Sequence, residues 1–256
     1  MFSLLPLGCY GSDLENKKCI SMQITPSTVI DTGALLSSFN ISQLLEIRNL
    51  IITHSHFDHI KDLPTFSDFM LSFGNHSFNL YTTKTIMKEL KQHILNDLIW
   101  PDFTKLPNSK TPTINFKPIE FDKPFVIDNT EFTPIEMNHL VESIGFIIKK
   151  EGKVFAYSGD TGICDNFIDH IKQEPKIKTL CWETSFPNRL KKLAELSKHL
   201  SPSMLEGELA KLNKKYEVHI FHLKPNLEEE IISDIGKIRT DMHLTTMKQK
   251  KPIFIS

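Results

Sequence analysis

The run Thr53-His54-Ser55-His56-Phe57-Asp58-His59 constrains this chain more than any other feature, because four cation-binding side chains fall within six positions. It continues from Asn49-Leu50-Ile51-Ile52-Thr53, a short apolar run that reads as a buried β-strand. Imidazoles and a carboxylate at the carboxyl end of such a strand stand where α/β sheets commonly build a site. His54 and His56, two apart on an extended segment, point the same way and can share one cation, which leaves Asp58 and His59 to serve a second. Nitrogen and oxygen ligands together suit zinc first, with manganese or iron as alternatives. A loop of merely exposed histidines is the competing explanation, and the concentration of ligand types argues against it.

Three further candidates each follow a β-type run: His139 after residues 131–137, Asp160 in Ser158-Gly159-Asp160-Thr161-Gly162 after 154–157, and His222 after 218–221. Singly each has a plain structural explanation, since Asp in a Gly-Asp-Thr-Gly turn commonly caps a helix or closes the turn. Together they complete a ligand set. Strand patterns also occupy 2–7, 19–24, 28–30, 113–121, 144–149 and 180–182. Helical spacing is found at 63–73, 85–98, 187–198, 202–213 and 227–237, while 100–112, with three prolines, reads as a loop. Phe66, Phe69 and Phe73 share helical spacing and are expected in the core.

The H-x-H-x-D-H run, the later single histidine, the Gly-Asp-Thr turn and the last histidine, in this order, resemble the metallo-β-lactamase superfamily. The resemblance extends from Leu7-Gly8-Cys9-Tyr10-Gly11-Ser12 to Pro225. It implies an α/β fold, the four-layer αββα sandwich, as one domain over residues 1–256 built from two similar halves. It further implies that two divalent ions bind, one to His54, His56 and His139, the other to Asp58, His59 and His222, with Asp160 bridging them.

Glu183 in Trp182-Glu183-Thr184-Ser185-Phe186, His199 in Lys198-His199-Leu200-Ser201-Pro202, and His222-Leu223-Lys224-Pro225 narrow the resemblance. The combination is similar to the class II cyclic-nucleotide phosphodiesterases, and also to the tRNA 3′-processing endonucleases. It implies hydrolysis of a 3′,5′-cyclic nucleotide to the 5′ monophosphate by a hydroxide held between the metals. Asp58, His199 and Glu183 are then the catalytic residues, with His199 as general acid and Glu183 as its orienting partner.

Chemistry gives an independent reason for such a pair. Phosphodiester cleavage needs an attacking hydroxide, which two metals about 3.5 to 4 Å apart can generate, and a proton for the departing oxygen. Glu183 hydrogen-bonded to His199 would keep that proton available. In the opposing reading His199 only begins a helix and Glu183 only ends a strand. A pair more than about 8 Å from the ions would favour a lactone, thioester or lactam hydrolase, because a proton donor must reach the leaving atom.

The formal net charge of -1 leaves no global positive excess for holding a polyanion. The ending His222-Leu223-Lys224-Pro225 also lacks the serine and arginine typical of the tRNA enzymes, so a small phosphodiester is expected before nucleic acid. Lys224 is placed to meet a phosphate oxygen or simply to be solvated, and Trp100 or Phe103 to wall a base pocket or to sit in a surface loop. Replacement of the motif's second histidine by glutamate marks the oxygen-reducing di-iron branch, and here that residue is His56. A non-catalytic binding module is opposed by the full ligand set.

The four cysteines contain no C-x-x-C pair, which fits reduced thiols and a cytoplasmic location. Residues 1–7 are too short and lack the cationic start of a signal peptide, so they are expected to form a strand. No run approaches the roughly 18 apolar residues of a membrane span. A homodimer is left open. His219, at odd spacing from His222, is expected on the opposite face with a structural role.

Overall fold

Phe146, Ile148, Phe155, Tyr157, Cys181 and Phe221 pack into one apolar cluster, while their neighbours Ile147, Val154, Ala156, Leu180, Trp182 and Ile220 pack into another. Strands that bury alternate residues on opposite faces must lie between two other layers. A computed structural model describes residues 2–74 and 76–256 and shows those layers. Met1, at the head of the apolar start, lies outside the described residues.

The strands are β1 (Ser3–Gly8), β2 (Ser21–Thr25), β3 (Thr28–Ile30), β4 (Asn49–Ile51), β5 (Phe78–Thr82), β6 (Ile114–Pro118) and β7 (Phe125–Ile127). They continue with β8 (Thr130–Glu136), β9 (Ile144–Lys150), β10 (Lys153–Tyr157), β11 (Thr179–Glu183), β12 (Glu217–Phe221), β13 (His243–Thr246) and β14 (Ile253–Phe254). One seven-stranded sheet has the order β14-β1-β2-β3-β4-β5-β6, the other β13-β12-β11-β10-β9-β8-β7. In the first, β14-β1-β2-β3 pair antiparallel and β3-β4-β5-β6 parallel. In the second, β7-β8-β9-β10 pair antiparallel and β10-β11-β12-β13 parallel. We propose that the chain is one domain of two similar halves, a reading this shared order of pairings supports.

The inner cluster joins β1–β5 to Phe132, Phe146, Phe155 and Phe221 of the second sheet. The outer face of the second sheet is covered by helices Asp165–Gln173, Pro202–Leu209 and Glu228–Ile235, through Phe167, Ile171, Leu205 and Ile231. On the first sheet's side, helices Leu63–Ser72 and Lys84–His93 bury Phe66, Met70, Ile86 and Leu90. Thr83 starts the second of these by accepting a hydrogen bond from the Ile86 amide.

Several boundaries differ from the sequence pattern. The helix expected through residue 98 ends at His93, because the Asn96 side chain accepts the Leu98 and Ile99 amides in a turn that competes with the helix. The helix expected over 187–198 divides into a 3₁₀ turn, Asn188–Leu190, and helix Lys191–Leu196. Strand β5 and helix Asp165–Gln173 were not anticipated. The loop expected over 100–112 runs over 101–113, since Trp100 pairs with Leu95; Phe103, buried in the core, walls no base pocket, and the part-buried Trp100 packs against that core.

Candidate metal centre

Strands β4, β8, β10, β11 and β12 all run their carboxyl ends to one edge of the sandwich, and each delivers part of the site. After β4 the chain stays extended to His56, which precedes the short helix Phe57–Ile60 and so gathers His54, His56, Asp58 and His59. His139 lies beyond β8, Asp160 beyond β10 and His222 beyond β12. His222 has φ 68°, a left-handed conformation costly for a ring-bearing residue, held by its amide bonding the Cys9 carbonyl at 2.7 Å.

Each set expected from the sequence is brought together. Ligand atoms of His54, His56 and His139 lie within 4.8 Å of one another, as do those of Asp58, His59 and His222. Asp160 stands between them: its Oδ2 is 3.6 Å from His54 Nε2, 3.3 Å from His59 Nε2 and 3.1 Å from His222 Nε2. Despite these distances the three Nε2 atoms and Asp160 Oδ1 are buried without an aligned hydrogen bond. Buried polar atoms are rarely left so. Ligand atoms converging without bonding one another suit a cation between them.

The far sides of the same rings fix which nitrogen faces inward. Nδ1 of His59 bonds Asp31 Oδ2 at 2.8 Å, that of His54 the Thr53 hydroxyl at 3.0 Å, that of His139 the Lys198 carbonyl at 2.9 Å, and that of His222 the Ser185 hydroxyl at 2.7 Å. An imidazole that donates its Nδ1 proton outward presents an Nε2 lone pair inward, the arrangement of metal-bound histidines. His56 uses the other atom, its Nδ1 lying 3.1 Å from His139 Nε2. The donor set thus fits divalent cations.

The two groups differ in charge. Burial lowers His54 well below the ordinary imidazole value and His139 to about 4. Burial also opposes charge on His59 and His222, but Asp160 outweighs it, with Asp31 aiding at His59 and Asp58 at His222; His59 is raised well above the ordinary value and His222 to about 9. Burial works against Asp58 as well, yet His222 and His59 hold its carboxyl well below the usual range.

Glu183 and His199, far apart in sequence, meet beside these groups: His199 Nδ1 is 2.8 Å from Glu183 Oε1. A His199 nitrogen also lies within 4.8 Å of ligand atoms of His139 and Asp160. Glu183 is buried and held by the Thr161 amide and the Ser185 hydroxyl. Ser185 therefore donates to Glu183 and accepts from His222. Lys224 bonds the Gly11 carbonyl at 2.7 Å, and a Cβ on Gly11 would come within 2.6 Å of the His222 ring and 2.9 Å of Lys224 Nζ. Only glycine admits that approach. His219 turns elsewhere, to the Thr245 hydroxyl at 2.9 Å.

Sequence reasoning missed Asp31, Thr53 and Ser185. Asp31 accepts the Thr53 amide and hydroxyl as well as His59 Nδ1. Its signal was present: Asp31-Thr32-Gly33 follows a strand just as Asp160-Thr161-Gly162 does.

Comparison with known proteins gives the same direction. Residues 29–240 match the family described as Beta-lactamase superfamily domain. A 3′,5′-cyclic-nucleotide phosphodiesterase of Aliivibrio fischeri is 26% identical over 206 residues, covering 71% of this chain and 61% of that protein. The cGMP-dependent 3′,5′-cGMP phosphodiesterase A of Dictyostelium discoideum is 27% identical over 158 residues, covering 59% of this chain and 17% of that protein. The match thus spans about three fifths of one relative and a sixth of the other. Unliganded yeast PDE1 superimposes with TM-score 0.80 at 18% identity, covering 99% of both chains, a likeness of fold. Among the described residues no helix is long and apolar enough to cross a membrane.

Proposed function

The chain belongs to the beta-lactamase superfamily, and we propose that within it the protein is a dinuclear metal-dependent phosphodiesterase that opens a 3′,5′-cyclic nucleotide to the 5′ monophosphate. The observation that carries this reading is the Glu183–His199 pair, 2.8 Å apart and beside the candidate ligands. A hydrolase of lactams, lactones or thioesters has no need of it.

In this reading His54, His56 and His139 hold one ion, Asp58, His59 and His222 the other, and Asp160 belongs to both. Two divalent ions, zinc first, would activate water and polarise the phosphoryl oxygens. The chain's own groups do the rest. Asp58, kept ionised, accepts a hydrogen bond from the attacking water and fixes its approach to phosphorus. Glu183 cannot turn, since the Thr161 amide and Ser185 hydroxyl grip it, and it fixes the His199 ring through Nδ1. His199 then directs Nε2 to the substrate and gives a proton to the 3′ oxygen as its bond to phosphorus breaks. Lys224, at the Gly11 edge, is placed to neutralise a phosphate oxygen.

The test is hydrolysis of cyclic AMP, cyclic GMP and bis(p-nitrophenyl) phosphate by the zinc- or manganese-loaded protein, beside His199→Ala. The expected result is 5′ monophosphate from a cyclic nucleotide, with kcat lowered about a hundredfold or more in the variant and its metal content retained. Metal-loaded protein that cleaves no phosphoester would overturn the reading.

A further inference from the structure

A cavity of about 280 Å³ is lined by residues that neighbour the candidate ligands in sequence, although none of those ligands lines it. Its wall begins in the motif itself: Ser55 stands between His54 and His56, Ile60 follows His59, and Val141 lies two residues beyond His139. Helix Lys84–His93 closes the other side with Leu90, and Ile94 completes an apolar lining. Volume and composition match a slot for one flat ring system, and apolar walls with a few placed polar groups are the usual build of a small-molecule site.

Its polar lining is Ser55, the exposed His93, and the part-buried Glu89, whose Oε2 accepts a 2.6 Å hydrogen bond from the Ser55 hydroxyl. That bond holds the carboxylate in place and ties it to the backbone carrying His54 and His56. An ionised carboxylate only accepts hydrogen bonds, at about four lone-pair positions, so one bond from Ser55 leaves room for two more. Guanine presents N1–H and N2–H side by side and satisfies that geometry. Adenine presents a donor beside an acceptor, and its N1 lone pair would face a negative oxygen. We propose that this cavity is the nucleobase subsite of the adjacent phosphodiesterase centre and that Glu89 makes it select guanine over adenine. The assignment rests on the cyclic-nucleotide reading above and adds the base.

The experiment compares kcat/KM for cyclic GMP, cyclic IMP and cyclic AMP on the metal-loaded full chain and on Glu89→Gln. Wild type should prefer cyclic GMP to cyclic AMP by roughly tenfold or more, as for a bidentate base contact, with cyclic IMP, which lacks the N2 amine, between them. Glu89→Gln should lose cyclic GMP rate through KM while cyclic AMP holds or gains, because an amide offers the donor and acceptor that adenine needs. A purely structural role would lower all three together, which overturns the assignment. So would a wild type indifferent to base, and the phosphodiesterase reading would then still stand. Turnover of bis(p-nitrophenyl) phosphate with no cyclic nucleotide cleaved would overturn both.

Discussion

The chain leaves a strand through Asp-Thr-Gly twice, after β3 at Asp31-Thr32-Gly33 and after β10 at Asp160-Thr161-Gly162, and the two aspartates end on opposite sides of the histidines. In the first turn the left-handed residue is the aspartate itself, Asp31 at φ 58°; in the second it is Gly159, at φ 57°, one position ahead. Asp31 consequently lies behind the rings, bonding His59 Nδ1 and Thr53, while Asp160 lies in front among three Nε2 atoms. Asp31 follows β3 directly, whereas Ser158 and Gly159 intervene between β10 and Asp160, so two turns of like sequence deliver one carboxylate that positions a ligand and one that stands among ligands. Asp31 meets the cost of a left-handed backbone, about 1 to 2 kcal/mol, with three buried hydrogen bonds.

Asp160→Asn should have the largest effect of any single change. Metal analysis should find fewer ions per chain, and turnover should fall by about a thousandfold, the equivalent of several kcal/mol of transition-state charge stabilisation. Asp31→Asn should instead weaken metal affinity by roughly 10- to 100-fold and recover turnover when metal is raised. Equal, unrescued losses in both would erase the distinction between the two turns.

Glu183 gives the second sheet its own version of Asp31. Each buried carboxylate bonds one histidine directly, His59 or His199, and a second through a hydroxyl: Thr53 to His54, Ser185 to His222. The difference is that His59 belongs to the candidate ligands and His199 to the proposed acid. Glu183→Gln should therefore lower kcat by about a hundredfold, and added metal should not restore it. Recovery with metal would make Glu183 a counterpart of Asp31 and remove His199 from proton transfer.

How much of this could be read in the residues follows from how each half presents its groups. The first sheet gathers its ligands in one run, because a single strand end and a four-residue helix, Phe57–Ile60, carry all four, and a motif so dense is legible. The second sheet distributes His139, Asp160, Glu183, His199 and His222 over separate segments, each ordinary by itself; only their common order, through the family resemblance, joined them. Asp31, Thr53 and Ser185 escaped because a supporting hydroxyl or carboxylate has no characteristic spacing, its role being set by a partner on another strand. Strand β5 had a readable alternation, Phe78, Leu80 and Thr82 all buried, whereas β13 and β14 are short edge strands fixed by their neighbours.

The proton load of the two groups gives a subtler test. Without ions, at neutral pH, His54 and His139 are neutral, while His59 and His222, the latter near 9, carry protons. A metal must displace those protons, so affinity at the Asp58, His59 and His222 group should rise with pH up to about 9, while affinity at the other changes little from neutral pH upward. The folding sign is opposite. A histidine of about 6.5 unfolded and about 9 folded stabilises the ion-free chain fully below 6.5 and loses that contribution as pH climbs through 9. Calorimetric titration with zinc in buffers of different ionisation enthalpy should find protons released in one binding step and almost none in the other. Equal release in both would remove the asymmetry.

The smallest expected effects come from the two relaying hydroxyls. Thr53→Ala frees His54 Nδ1 but leaves Asp31 bonded to His59 and to the backbone amide. At about 1 kcal/mol for a hydrogen bond, that should weaken metal binding by about fivefold and leave kcat at saturating metal unaltered. Ser185→Ala removes the acceptor of His222 and a donor to Glu183 together. It should weaken metal binding to a similar degree and, through the loosened Glu183–His199 pair, lower kcat as well. The comparison is decided by kcat at saturating metal: a deficit confined to Ser185→Ala ties the second sheet's carboxylate to proton transfer, and identical behaviour of the two variants would reduce both hydroxyls to holding rings in place.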